Sequence, residues 1–386
     1  MSSDVPRVLV LTNTVTSYSS LLYKSLAERG RIALKVVYCS EHHLNRPKTW
    51  MESRSSFTSD VLPGIHLYIR GESVDPIHLN PAVICRIREF KPDVLVIGGY
   101  SNPTMLLSMF YSNMTDIPYI LMVDGGNIKS HPFPIRMLLR PFVESATAYI
   151  SGGRSAETLL ANYGADYRAM FRVPCVTDLE RVHTIAKTLR SCYANGRVEA
   201  NRRSPKTILY VGRLIKEKGI LDLMDAYLLL RKEDASIDLL IVGTGPMKTT
   251  LEKAARGACP GSVRFIDYLE WGEDLFRAYS NSNVLVLPSY REAFGIVALE
   301  AFVSGLPVVV SDKCGCAGSL PSSEWVHHIQ SGRIDSLVAG IKMALDVESR
   351  PDNDTHESEI RQVLSENSIA SLSSSFENAV LKSLSI

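Results

Sequence analysis

The chain alternates short, unbroken runs of apolar and β-branched residues with longer stretches in which apolar positions recur every three or four residues. In the first half the runs are VPRVLVLTN, IALKVVYC, GIHLYIR, DVLVIGG, PYILMVD and ATAYISG. Helical spacing between them predicts helices near 19–29, 81–89 and 105–112, and another from Arg154. Strands that are apolar on both faces, alternating with helices, predict a parallel sheet wrapped by helices on both sides. This pattern ends around FRVPCV.

The same grammar then repeats. TILYVGR, IDLLIVG, SVRFIDY, NVLVLPS and PVVVSD alternate with helices expected near 218–231, 247–256, 274–279, from about Phe294, and near 334–345. A Ser-rich helical pattern at 368–384 closes the chain. TLRSCYANGRVEANRRSPK, residues 188–206, is polar, basic and without apolar periodicity, and reads as a linker. The expected organisation is α/β, with two doubly wound, Rossmann-like domains facing across a cleft. Their bounds are 1–187 and 207–366, and a last helix in 367–386 packs back on the first domain.

Length supports two cores rather than one, because 386 residues exceed what a single ordinary core accommodates. A formal net charge of +1 gives no global field that would favour nucleic acid. The N-terminal apolar run reads as a strand without a basic leader, and no stretch reaches the roughly 18 apolar residues of a membrane span, so a cytoplasmic protein is expected. Seven cysteines without a CxxC pair argue against a disulfide framework or a structural zinc site. Cys314 and Cys316 read as small loop residues, His42-His43 and His327-His328 as solvated loop pairs, and the DxD at 352–354 as solvated loop. No metal is predicted. RMLLRPFV, 136–143, mixes Arg136 and Arg140 with apolar residues; it reads as a core-facing helix with exposed arginines, or as a face for an anionic membrane.

The candidate chemistry lies in PSYREAFGIVALEAFVSGLPVVVSD. The apolar strand NVLVLPS is stopped by Pro288, and the apolar positions Ile296, Val297, Leu299, Ala301 and Phe302 start a helix at Phe294-Gly295. A helix N-terminus carries unpaired N–H groups and partial positive charge, and a glycine there lets a ligand reach the backbone, so an anion is expected beside Phe294, Gly295, Ile296 and Val297. Glu292 precedes this point. Glu300 follows eight residues later, about 80° round the helix, so both carboxylates can look toward the strand ends, where open parallel sheets bind ligands. Carboxylates there suit the hydroxyls of a ribose or another sugar. Upstream, TILYVGRLIKEKGI sets Arg213 at a strand end and Lys218 at the mouth of the next helix, two cations beside a phosphate-ready N-terminus. Each residue alone also has a plainer reading, as a helix-dipole partner, an exposed helix acid or a solvated loop base.

In order and spacing, GRLIKEKG, IVGTGP, VRFIDYL and the E-x7-E stretch resemble retaining glycosyltransferases of the GT-B, family 4-like group. The likeness covers about residues 205–347 well and the first half less closely. It implies a GT-B fold in which Glu300 binds the ribose of a nucleotide sugar and Glu292 the hydroxyls of the transferred sugar. It further implies that the amides of Phe294 to Val297 contact phosphate or sugar, while Arg213 and Lys218 neutralise the leaving diphosphate. Gly243, Gly245, Pro246 and the backbone at Tyr268 and Leu269 would line the base. The donor implied is UDP with a hexose or N-acetylhexosamine, used without metal or other cofactor. The acceptor would be a glycan, a lipid-linked or a small molecule.

On the acceptor side, Asn13 and Tyr18 follow the first strand, and Asp124 stands where many relatives have a histidine; turn and cap roles are the plainer reading of each. CGCAGS replaces the family's GG-x-PE after PVVVSD. The first loop has no GxGxxG and GTGPMK has Lys248 at its third glycine, which weighs against a dinucleotide oxidoreductase. A GT-B epimerase, or a non-catalytic nucleotide-sugar-binding subunit, remains the alternative.

Overall fold

In the computed structural model, which describes residues 5–41, 56–67, 76–100, 102–124, 131–175, 177–192, 206–347 and 354–385, the apolar runs become the strands of two parallel sheets. The chain divides into two units, Met1–Val176 with Ile369–Ile386, and Thr177–Ser368.

In the first unit the strands are β1 (Arg7–Thr14), β2 (Ala33–Ser40), β3 (Ser59–Val61), β4 (Ile65–Leu67), β5 (Ile77–Leu79), β6 (Val94–Gly98), β7 (Tyr119–Val123), β8 (Ala148–Ser151) and β9 (Met170–Arg172). Its helices are α1 (Ser17–Arg29), α2 (Val83–Phe90), α3 (Pro103–Thr115), α4 (Phe133–Glu144) and α5 (Arg154–Asn162). The sheet runs β3-β2-β1-β6-β7-β8-β9, parallel throughout, so the strand order reverses between β1 and β6. The described part of GIHLYIR, residues 64–67, does not join it. It contains β4, which pairs antiparallel with β5 in a separate hairpin.

The second unit contains α6 (Leu179–Cys192), β10 (Lys206–Val211), α7 (Ile220–Glu233), β11 (Ile237–Val242), α8 (Lys248–Ala258), β12 (Val263–Ile266) and α9 (Glu273–Ser280). It continues through β13 (Val284–Leu287), α10 (Ile296–Val303), β14 (Val308–Ser311), β15 (Val326–Ile329), α11 (Ile334–Asp346) and α12 (Asp354–Glu366). Its parallel sheet, β12-β11-β10-β13-β14-β15, reverses order between β10 and β13. Both sheets are doubly wound, and a crevice at the C-terminal ends of the strands flanking each reversal is where such folds bind ligands.

Several boundaries differ from the sequence reading. Residues 188–192 belong to α6, whose buried Val182, Ala186 and Leu189 follow helical spacing, so the helix runs into the expected linker. α6 packs on α9 and α10, which places it in the second unit rather than in a domain ending at 187. The polar segment after α11 contains α12, which begins at Asp354; Asp352 lies outside the described residues. His327 and His328 are in β15 rather than a loop, and His42-His43 lies outside the described residues. The last helix, α13 (Ile369–Leu384), packs on α1, β8 and β9 of the first unit. There the buried Glu377 receives Arg29 Nε at 2.8 Å and Arg31 at 3.2 Å.

One buried histidine is expected to make the second unit acid-sensitive. The ring of His356 on α12 stacks on Trp325 at 3.7 Å, with Phe302 edge-on at 5.0 Å and Glu359 at 3.7 Å. Burial, with Arg190 and His183 nearby and Glu357 opposing, lowers its pKa to about 4. Between the ordinary value of 6.5 and about 4 the unfolded chain binds more protons than the folded one. This contribution is therefore complete above 6.5 and lost as pH falls through the window, worth about 2–3 kcal/mol in all. In urea titrations His356→Phe is expected to remove that share of the stability difference between pH 7 and pH 4; an unchanged acid limb would refute it.

Candidate functional site

In the second unit the strand-order reversal brings two loops together. The loop after β10 turns through Gly219, at φ +64°, where an added Cβ would lie 2.2 Å from the Pro288 carbonyl oxygen after β13. Only glycine permits that conformation and that approach. The amides of Tyr290 and Arg291 donate to the Glu217 carbonyl at 2.9 and 3.2 Å, which ties the loops further. Lys218 Nζ therefore meets Glu292 Oε2 at 2.5 Å, with only 14% and 15% of the two side chains exposed. At that burial the pairing is charge-assisted and poorly screened.

Three groups surround this pair. Tyr210 is buried, which pushes its phenol up; Glu292 adds to that shift and Arg213 opposes it, so all three sit in one electrostatic neighbourhood. Its hydroxyl donates to the Arg213 carbonyl at 2.8 Å. The Arg213 side chain is exposed. Beyond Glu292, α10 starts at Ile296 behind Gly295, whose φ is +91°. Among the described residues the amides of Phe294, Gly295, Ile296 and Val297 donate no backbone hydrogen bond, leaving a row of donors beside Glu292.

The segment CGCAGS buttresses this loop. Gly315 N–H donates to the Glu292 carbonyl at 3.3 Å and Cys316 N–H to the Phe294 carbonyl at 2.6 Å. Cys314 and Cys316 lie in the segment between β14 and β15 and are buried; hydrogen bonding to Cys314 and burial push the Cys316 thiol up.

Glu300 is placed differently from the expectation. It is buried, 2% exposed, rather than open beside Glu292. Oε1 accepts from Thr177 Oγ1 at 2.7 Å and Trp271 Nε1 at 2.8 Å, and Oε2 from Tyr279 Oη at 2.8 Å. Burial raises its pKa, and the three hydrogen bonds oppose the rise. Sequence reading missed all three donors; a tryptophan in the otherwise polar EWGED loop was the only local hint.

Gly243 and Gly245 have a packing reason of their own. Cβ atoms there would lie 1.9 Å from the Gly212 carbonyl oxygen and 2.4 Å from that of Leu214, so the loops after β10 and β11 touch through glycine. Pro246 closes that loop before α8, and Tyr268 and Leu269 follow β12, Tyr268 half exposed.

In the first unit Asn13 lies at the end of β1, at the reversal, and its Oδ1 accepts from Asn102 Nδ2 at 3.2 Å. Asn102 precedes α3 and accepts the His78 amide at 3.1 Å; neither partner was singled out from sequence. Capping of α1 falls to Thr16, which accepts the Ser19 amide at 3.2 Å, and Tyr18 is half-buried in the first turn. Asp124 is exposed after β7, its carbonyl oxygen 2.2 Å from where a Cβ on Gly152 would stand; Gly125-Gly126 lies outside the described residues. In α4 only Leu139 and Val143 are buried, while Phe133, Ile135, Met137 and Leu138 are exposed, so the RMLLRPFV segment is less core-facing than expected. Among the described residues no helix is long and apolar enough to cross a membrane, and no group of three or more His, Cys, Asp or Glu could hold a metal ion.

The fold is GT-B, an α/β architecture of two Rossmann-like halves. HepE of Anabaena, solved in complex with UDP and glucose, is similar with a TM-score of 0.70 at 14% identity, over 97% of this chain and 99% of that one. Sucrose-phosphate synthase of Thermosynechococcus elongatus is similar at 0.70 and 17% identity, over 97% of this chain and 98% of that one. Residues 195–368 match the family model of glycosyl transferases group 1. Among sequence relatives, glycogen synthase of Mycobacterium tuberculosis is 26% identical over 265 residues, 67% of this chain and 61% of that protein. An uncharacterized glycosyltransferase of Methanocaldococcus jannaschii is 41% identical over 112 residues, 28% of each chain. The chain thus spans about three-fifths of the glycogen synthase it matches.

Proposed function

We propose that the protein is a retaining glycosyltransferase that moves a hexose or N-acetylhexosamine from a UDP-sugar to an acceptor hydroxyl. The observation that carries this reading is the Lys218–Glu292 pair at the strand-order reversal, beside the undonated amides of Phe294 to Val297. In this reading the β-phosphate lies between Lys218, Arg213 and those amides, and the sugar hydroxyls lie against Glu292. The acceptor oxygen bonds to the anomeric carbon on the face the diphosphate leaves, the bond from that carbon to the β-phosphate oxygen breaks, and the departing phosphate takes the acceptor proton. Donors already aimed at the oxygen that gains charge lower that barrier. Glu292 then positions the sugar and takes no proton. Glu300 holds the ribose, and Gly243 to Pro246 with Tyr268 and Leu269 border the base. On the acceptor side the reading places Asn13, Tyr18 and Asp124, and a lipid-linked acceptor would suit the exposed apolar band of α4.

Thermal-shift screening against UDP-, GDP-, ADP- and dTDP-sugars tests the reading, because a ligand at 100 times its Kd adds about 2.7 kcal/mol to the native state. A UDP-sugar is expected to raise Tm and slowly to release UDP. Failure of all four classes to shift Tm would overturn the assignment, and tight binding without any release would make the protein a non-catalytic binding subunit.

A further inference from the structure

Glu300 presents a geometric problem for any ligand. Its carboxylate is 2% exposed and both oxygens already accept from protein donors. Two of those donors offer no route to it, since Thr177 is 4% and Tyr279 1% exposed. Trp271 is the donor that reaches the surface. Its indole is half-buried, with the Arg181 guanidinium 5.4 Å over its ring and Phe276 edge-on at 5.4 Å. The exposed Asp267 and Tyr268 precede it in the loop, and Gly272 follows at φ +144°, where nothing stands within 4 Å of an added Cβ. No neighbour packs against Gly272 on that side, and the indole N–H occupies one of the acceptor sites a ribose diol would need.

Resting on the nucleotide-sugar reading above, we infer that Trp271 is a positioning residue that gates Glu300: the indole must release the carboxylate before a nucleoside ribose can bind it. Arg181 holds the indole in the closed position by stacking, and Thr177 and Tyr279 keep the carboxylate oriented while the indole leaves. A ribose with both hydroxyls replaces the lost hydrogen bond, whereas a ligand without ribose leaves the gate shut. The gate therefore sets a cost that only a nucleoside ligand meets, and leaves the binding of bare diphosphate at Lys218 and the α10 amides unaffected.

The experiment compares wild type, Trp271→Phe and Arg181→Ala by calorimetry and tryptophan emission, with UDP, 2′-deoxy-UDP and inorganic pyrophosphate as ligands. UDP is expected to change the emission of wild type and not that of Trp271→Phe, while pyrophosphate changes neither. Trp271→Phe, which no longer competes for the carboxylate, is expected to bind UDP at least fivefold more tightly, 2′-deoxy-UDP with a smaller gain and pyrophosphate unchanged. Arg181→Ala, which removes the cation over the Trp271 ring and leaves all three donors to Glu300 in place, is expected to tighten UDP in the same direction by a smaller factor. The gate is overturned if UDP saturates wild type without altering emission, or if both variants fold and bind UDP no more tightly than wild type. An equal gain for pyrophosphate would also overturn it. Binding of UDP by Trp271→Phe alone would support a gate that wild type keeps closed. Failure of every variant to bind any nucleoside diphosphate would overturn the nucleotide-sugar reading itself, and the gate with it.

Discussion

Lys218→Met is expected to lower turnover by about 10²-fold, the scale for removing one donor aimed at a charge that develops in the transition state. The same substitution strands Glu292, whose Oε2 lies 2.5 Å from Lys218 Nζ with both side chains about 15% exposed. Removing one partner of such a pair costs about 3 kcal/mol, most of it from the carboxylate left without a counter-charge. Stability and catalysis would then fall together, and a single variant could not separate them. Glu292→Gln added to Lys218→Met removes the stranded charge. The double variant should recover most of the lost stability in urea titrations while its turnover stays at the level of the single variant or below. Recovery of both would make the pair a structural tie between the loops after β10 and β13. Wild-type turnover in a stable Lys218→Met protein would sink the assignment of Lys218 to the diphosphate.

That the pair could be anticipated at all follows from how doubly wound folds work. Lys218 and Glu292 are 74 residues apart, yet each follows a strand flanking the reversal of order, and a reversal can be inferred from alternating runs before any contact is known. β10 and β13 were visible because TILYV and VLVL are too apolar to face water on either side. β4 and β5 are three residues each, too short for a period, and so the hairpin was hidden in a run that looked like a sheet strand. α12 was hidden for another reason: its buried positions are His356, Ile360 and Val363, and a histidine breaks the apolar signal in a segment rich in acids. The boundary near 187 was drawn where polarity rises, but membership of α6 is decided by its packing on α9 and α10, which no local pattern records. Glu300 shows the same limit in chemistry. Its donors lie 123, 29 and 21 residues away, so the sequence could mark the carboxylate and not its burial.

That burial changes what a substitution at Glu300 reports. Glu300→Ala removes the acceptor of three donors, the buried Thr177 and Tyr279 and the half-buried Trp271, and opens a cavity, for an expected loss of about 3–5 kcal/mol. Weak donor binding in that variant would say little about ribose. Glu300→Gln keeps the shape. Its amide oxygen can accept from Thr177 and Trp271, and its amide nitrogen can donate to the Tyr279 hydroxyl, so stability near neutral pH should stay within about 1 kcal/mol of wild type. The pH dependence provides an internal check. Burial raises the Glu300 carboxyl above its ordinary 4.5, so over that window the folded state binds more protons than the unfolded chain. Its contribution is complete below the ordinary value and lost as pH rises through the raised one. Glu300→Gln has no such loss, and the difference in stability should move in its favour as pH increases from 4 toward neutrality. Against that background, donor affinity should still fall by about tenfold, because a neutral amide offers one acceptor where the carboxylate offers two and the bonds are no longer charge-assisted. A stable Glu300→Gln protein that binds UDP as tightly as wild type would remove Glu300 from the donor site and leave it as the buried anchor joining α10 to Thr177 and α9.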